Sequence, residues 1–197
     1  MKSIDVKATL RNELGKKISR ELRKADAVPA VLYGSAKDAE GNTQVKHLTV
    51  TNDALRNLVY TPNIYLVNLD IDGTVVKAIM KDIQFHPVTD RILHVDFYQV
   101  SEDQPIVMEV PVSLNGLAEG VRAGGKLQLM LRKLKTKALY SQMPDRLNVD
   151  VTSLGLGKTI KVGELSFEGV EIMNAKEAVV CAVKLTRAAR GAAAANA

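Results

Sequence analysis

The stretch IYLVNLDIDGTVVKAIMKDIQF, residues 64–85, decides the fold. Two strand-like runs flank Asp72-Gly73, and an Asp-Gly dipeptide between alternating apolar residues is the strongest short signal for a β-hairpin in the chain. Just after it, RILHVDFYQV (residues 91–100) alternates with period two. This alternation puts Leu93, Val95 and Phe97 on a core face and His94, Asp96 and Tyr98 on the other. Before the hairpin, TNDALRNLVYT (51–61) begins with capping residues and groups Leu55, Leu58 and Val59, which predicts a helix. QVKHLTV (44–50), VPAVLYG (28–34) and IDVKATLR (4–11) read as strands, with Pro29 tolerable at a strand start or on an edge. Between the last two, KKISRELRKAD (16–26) places Ile18 and Leu22 at i, i+4 after Gly15 and predicts a short helix with Lys and Arg on its open face. Several short, mostly antiparallel strands with two helices suggest a small barrel or curled sheet.

Around SEDQP (101–105) the character changes. Helical periodicity largely vanishes, and strand signals are separated by NGLAEGVRAGG, SQMPDR, SLGLGK and FEGVE. The expected organisation is a mostly β chain: a barrel domain over 1–100, an all-β domain over 101–187 and a frayed, Ala-rich tail over 188–197.

Hydrophobic residues make up 46% of the 197, enough for a proper core, but aromatics only 4% with no Trp, so that core is built from Val, Ile, Leu and Ala. A single cysteine, Cys181, excludes an internal disulfide and, inside AVVCAV, reads as a small hydrophobe. The N-terminus has no apolar signal region and no run is long enough to span a bilayer, so a soluble cytoplasmic protein is expected. The net charge of +5 is uneven: residues 1–25 hold eight Lys/Arg against three acids, and everything after sums to zero. Such a gathered excess is an electrostatic footprint for phosphate; anionic lipid would want larger apolar residues on the helix than Leu14, Ile18 and Leu22.

Catalytic and metal motifs are weak. GLGKT (155–159) looks like the end of a phosphate-binding loop, but Thr152 stands where the first Gly belongs and no helix signal follows, so a β-turn is expected. Three histidines, His47, His86 and His94, lack ligand spacing, and no nucleophile–base pair is defensible from spacing. The polar face His94, Asp96 and Tyr98 suits nucleic-acid recognition, offering a ring donor or acceptor, a carboxylate for base amino groups and a stacking surface; a solvated sheet face is the plain alternative.

Certain blocks go further. Gly15-Lys16, Ser19-Arg20, Leu22-Arg23, VPAVLYG, Gln84 with His86-Pro87, and His94-Val95-Asp96-Phe97 occur in order. Together they resemble the bacterial ribosomal protein L-twenty-five family in its long, two-domain form, the general stress protein CTC type. GGKLQLMLRKLKTKAL, MPDRLNVDVTSLGLGKTIKVGEL and VVCAVKL look like that family's C-terminal domain. The resemblance implies a large-subunit ribosomal protein, with no catalysis, cofactor or small-molecule substrate, whose N-terminal barrel enters a widened minor groove of 5S rRNA. By motif, the implied RNA contacts are Arg11, Lys16, Ser19, Arg20 and Arg23 from the strand–helix entry, Tyr33, and Gln84, His86, His94 and Asp96 from the final strands. It also implies further ribosomal contacts, with RNA or neighbouring proteins, by the C-terminal domain, where Lys133, Lys135 and Lys137 share a strand face. Glu21 and Lys17-Ile18 depart from the family pattern, so one phosphate contact is in doubt. Two rival readings are a stress-associated protein-binding module acting off the ribosome and a hydrolase using His94 and Asp96.

Overall fold

The computed structural model describes residues 1–34 and 44–187; the Ala-rich tail lies outside the described residues. The chain divides into two compact units, Met1–Ile106 with Leu139–Ser141, and Val107–Ala138 with the residues from Gln142 onward. Among the described residues no helix is long and apolar enough to cross a membrane.

The first unit runs β1 (Lys2–Leu10), α1 (Lys16–Lys24), β2 (Ala27–Gly34), β3 (Lys46–Thr51), α2 (Asn52–Val59), β4 (Tyr65–Ile71), β5 (Thr74–Phe85) and β6 (Ile92–Gln99). Its strands close into a barrel in the order β1-β3-β2-β6-β5-β4. Closure leaves no strand edge unpaired. Four of the six pairings are antiparallel; β1/β4 and β2/β6 are parallel. Inward positions are aliphatic apart from Phe97, with Val6, Leu32, Leu48, Val50, Val67 and Leu69 buried around it.

The predicted hairpin turn is present: Asp72 and Gly73 both have positive φ (48° and 91°), the geometry that matches the twist of the flanking strands. Asp72 Oδ2 also accepts from the Leu10 backbone N–H at 3.1 Å, tying the turn to β1. Pro29 sits near the start of β2, one residue before the β6 pairing begins at Ala30. The α2 helix buries Leu55 and Leu58 as expected, but Thr51 at its N-cap makes no side-chain capping bond.

One expectation is corrected. Leu93 is not a core residue; Ile92 takes that place beside Val95 and Phe97. The cause is a bulge, since Gln84 pairs with His94 but Phe85 pairs with Ile92, so Leu93 is an extra residue on β6.

The second unit carries β7 (Ile106–Asn115) from its second residue onward, a short α3 (Glu119–Arg122), β8 (Lys126–Leu129), β9 (Lys133–Ala138), β10 (Leu147–Asp150), β11 (Thr159–Lys161), β12 (Glu171–Ile172) and β13 (Val179–Lys184). These form one sheet ordered β10-β7-β9-β12 and another ordered β11-β13-β8. GLGKT is a turn: Lys158 N–H donates to the Gly155 carbonyl at 3.2 Å and a strand follows, not a helix. Cys181 is fully buried, which pushes its thiol pKa up. Helix α3 forms inside NGLAEGVRAGG, read from sequence only as a connection. Gly120 within it approaches another backbone segment so closely that an added Cβ would lie 2.6 Å from the Gly155 carbonyl carbon and 2.7 Å from the Leu156 nitrogen. Neither atom can yield without moving backbone. Gly120→Ala is therefore expected to destabilise this unit by about 1–3 kcal/mol, seen as a lowered denaturant midpoint.

Candidate nucleic-acid interface

Strand register builds the site. On β6 the side chains of His94, Asp96 and Tyr98 point outward because Val95 and Phe97 point inward. Across β6, β2 sets Val31 beside Asp96 and Tyr33 beside Tyr98, while β5 sets Gln84 beside His94 and Asp82 beside Asp96. Three strands thus bring Tyr33, Gln84, His94 and Asp96, all predicted, onto one patch of the outer wall.

Within this patch the His94 Nδ1–H donates to Asp96 Oδ1 at 2.7 Å, with the two side chains 23% and 30% exposed. The bond fixes the imidazole's orientation; in the neutral ring it leaves Nε2 as an acceptor, with the second Asp96 oxygen as another. Tyr33 and Tyr98 meet edge to face, ring centroids 5.9 Å apart at 79°.

The Tyr33 hydroxyl is held above the ordinary tyrosine value of 10.0, first by lost hydration, then by the charges of Asp96 and Asp82 and by Tyr98. The folded barrel therefore holds that proton more tightly than the unfolded chain does. This contribution to stability is complete below pH of about 10 and is lost as pH rises through the folded-state value. In a phenolate absorbance titration, the phase missing from Tyr33→Phe is expected to shift back toward the ordinary value in Asp96→Asn.

The cations come from α1, which packs against β2. Its predicted apolar pair, Ile18 and Leu22, is half-buried, while Lys16 and Arg20 are exposed. Arg23 is anchored, its Nε–H donating to the Leu93 carbonyl at 3.0 Å. The bulge that removes Leu93 from the core thus lends its carbonyl to the helix, and the two terminal nitrogens of Arg23 have no protein partner among the described residues. Arg11 Nη1 donates to Ser19 Oγ at 3.4 Å, and its backbone N–H to the His47 carbonyl at 2.9 Å, joining the end of β1 to α1. Its Nε is buried without a partner. Glu21 is exposed and makes no ion pair among the described residues.

His86 stands apart. It lies in the β5–β6 turn, where Nδ1 accepts from the Val88 and Thr89 backbone N–H groups at 3.3 and 3.2 Å. One ring nitrogen is thus committed to the turn, leaving Nε2–H for any contact. Two members of the patch escaped the sequence-derived set of contacts, Asp82 and Tyr98. Tyr98 was legible from the alternation of β6. Asp82 was not, because a second bulge, between Met80 and Asp82, sets its register with no local cue. Among the described residues no group of three His, Cys, Asp or Glu is placed to hold a metal ion.

Comparison with known proteins bears on the whole chain. Residues 6–97 match the Ribosomal L25p family, and residues 105–187 match the Ribosomal protein TL5, C-terminal domain. The chain belongs to the Ribosomal L25p family. It is 71% identical over 194 residues to the large ribosomal subunit protein bL25 of Phocaeicola vulgatus, covering 98% of both chains. It is 64% identical over 200 residues to the protein of that name from Bacteroides thetaiotaomicron, covering 99% of this chain and 98% of the relative. For the Porphyromonas gingivalis protein the identity is 59% over 194 residues, with 98% of each covered. The relatives match both units in one chain, as in the family's long form, and the family is one of structural ribosomal proteins, not of enzymes.

Proposed function

We propose that this chain is a structural component of the large ribosomal subunit, in the cytoplasm, and that its barrel binds 5S rRNA through the β2–β6–β5 outer face and α1. The observation that carries the reading is the His94–Asp96 hydrogen bond at 2.7 Å, held beside Gln84 and next to an Arg23 anchored on the same strand. A carboxylate facing a polyanion costs affinity unless a base donor satisfies it. Asp96, oriented by His94, is such an acceptor, and Gln84 adds a second polar group for a minor groove.

Arg11, Lys16, Ser19, Arg20 and Arg23 supply the phosphate-facing part, positioning the barrel without reading sequence. Tyr33 offers a ring to a base or sugar, and His86 contributes through Nε2. Titration of the full chain against 5S rRNA and an unrelated structured RNA of similar length tests this reading. The expected result is a clear preference for 5S rRNA, with Arg20→Ala flattening the plot of log affinity against log salt by about 0.7–0.9. Equally weak binding to both RNAs would overturn it and favour a protein-binding role off the ribosome.

A further inference from the structure

The bulge between Met80 and Asp82 creates a repulsive pair on the outer wall of the barrel. Met80 and Ile83 both pack against the barrel core, and between them β5 carries one residue more than β6, so Asp82 is set directly opposite Asp96. Like charges directly opposite on neighbouring strands destabilise a sheet. Neither carboxylate has a lysine or arginine partner among the described residues. The Tyr33 hydroxyl feels the negative charge of both, which gathers the three groups at one spot of the wall.

Each carboxylate has one oxygen committed within the protein. Asp96 Oδ1 accepts from His94 at 2.7 Å, and Asp82 Oδ1 accepts from the Ile83 backbone N–H at 2.9 Å. Both Oδ2 atoms are left open among the described residues, on an exposed Asp82 and an Asp96 side chain 30% exposed. Two open acceptors side by side repel phosphate and call for hydrogen-bond donors. On paired RNA a wall of strands reaches only the wide, shallow minor groove, because side chains cannot read the deep, narrow major groove. Among base edges there, guanine offers a donor, its 2-amino group, whereas the edges of an adenine pair present only acceptors, which repel a carboxylate.

We infer, on the reading of the β2–β6–β5 face as the RNA surface, that Asp82 is a second specificity-determining residue, and that Asp82 and Asp96 together select guanine 2-amino groups on neighbouring base pairs. In the free protein the two carboxylates raise each other's energy. A groove with guanine at both positions gives each its own donor, and a groove without them desolvates two charges and satisfies neither.

The test pairs the full chain and its Asp82→Asn variant with 5S rRNA in which single guanosines are replaced by inosine, which lacks the 2-amino group. At one position of the series, inosine is expected to weaken wild-type binding about tenfold while Asp82→Asn loses nothing further there. On unmodified 5S rRNA, Asp82→Asn is expected to bind about tenfold more weakly than wild type. Its thermal midpoint is expected to stay level or rise, because the opposed charge is gone and the amide oxygen still accepts from Ile83. Inosine that weakens wild type and variant alike at every position would overturn the inference. So would a response to 2′-deoxy replacement in place of inosine, which would assign the carboxylates to ribose hydroxyls. A deficit of Asp82→Asn seen in magnesium but absent when hexaamminecobalt(III) folds the RNA would also overturn it, by making the pair a seat for a bridging cation. Those outcomes leave the RNA surface standing; a wild type with no preference for 5S rRNA would overturn both.

Discussion

Asp96→Ala is expected to erase most of the chain's preference for 5S rRNA over an unrelated structured RNA, by about 1–3 kcal/mol. The direction follows from two opposing terms. In wild type the carboxylate accepts from His94 at 2.7 Å and keeps one oxygen for a base donor, so its desolvation is compensated only by the correct partner. Against the wrong RNA the same negative charge is merely repelled. Removing it lowers affinity for 5S rRNA and leaves affinity for other RNAs level or slightly higher. Asp96→Asn is expected to fall between, because the amide oxygen still accepts from His94 while the charge is lost. Parallel anisotropy titrations with both RNAs read this as a ratio. A uniform loss on both RNAs would instead mean that Asp96 only supports the barrel.

Phe97→Ala is expected to be the most damaging single change to the barrel, costing about 3–5 kcal/mol. Phe97 is fully buried, lies between Leu32 on β2 and Met80 on β5 in register, and is the one aromatic residue buried in a core otherwise built of aliphatic side chains. With Val, Leu and Ala around it, no neighbour is large enough to fill the space. The cost is a sizeable share of a typical domain's net stability of about 5–15 kcal/mol. Urea unfolding followed by far-UV circular dichroism is expected to show a midpoint drop without a change in slope. His94→Ala, on the opposite face of the same strand, is expected to leave that midpoint within about 1 kcal/mol of wild type. The pair of variants therefore separates what holds β6 in the wall from what it presents.

The features legible in the sequence were those set by local chemistry. Asp72-Gly73 announced its turn because few dipeptides accept two positive φ values in succession. The outward row His94, Asp96 and Tyr98 followed from period two, and the GLGKT turn from the strand-like residues after it. What depended on distant pairing was not legible. Neither bulge on the β5–β6 ladder contains a glycine or proline, so nothing marked Leu93 as leaving the core or Asp82 as arriving beside Asp96. The parallel closures of β1 on β4 and β2 on β6 are likewise products of the whole barrel. The role of Leu93 in anchoring Arg23 sits on a backbone carbonyl, which no residue type encodes. Charge was misleading for another reason: the zero sum after residue 25 hid a net −5 over residues 26–106 and a net +5 over residues 107–197.

The outer face of β2, β6 and β5 is proposed here as the RNA-reading surface. Its most direct test is amide and side-chain NMR of the ¹⁵N-labelled full chain as 5S rRNA is added. The largest perturbations are expected on Tyr33, Gln84, His94, Asp96 and Tyr98, with α1 following and the β1–β4 wall unmoved. Perturbations confined to the β1–β4 wall, or absent from β6 while binding proceeds, would contradict it.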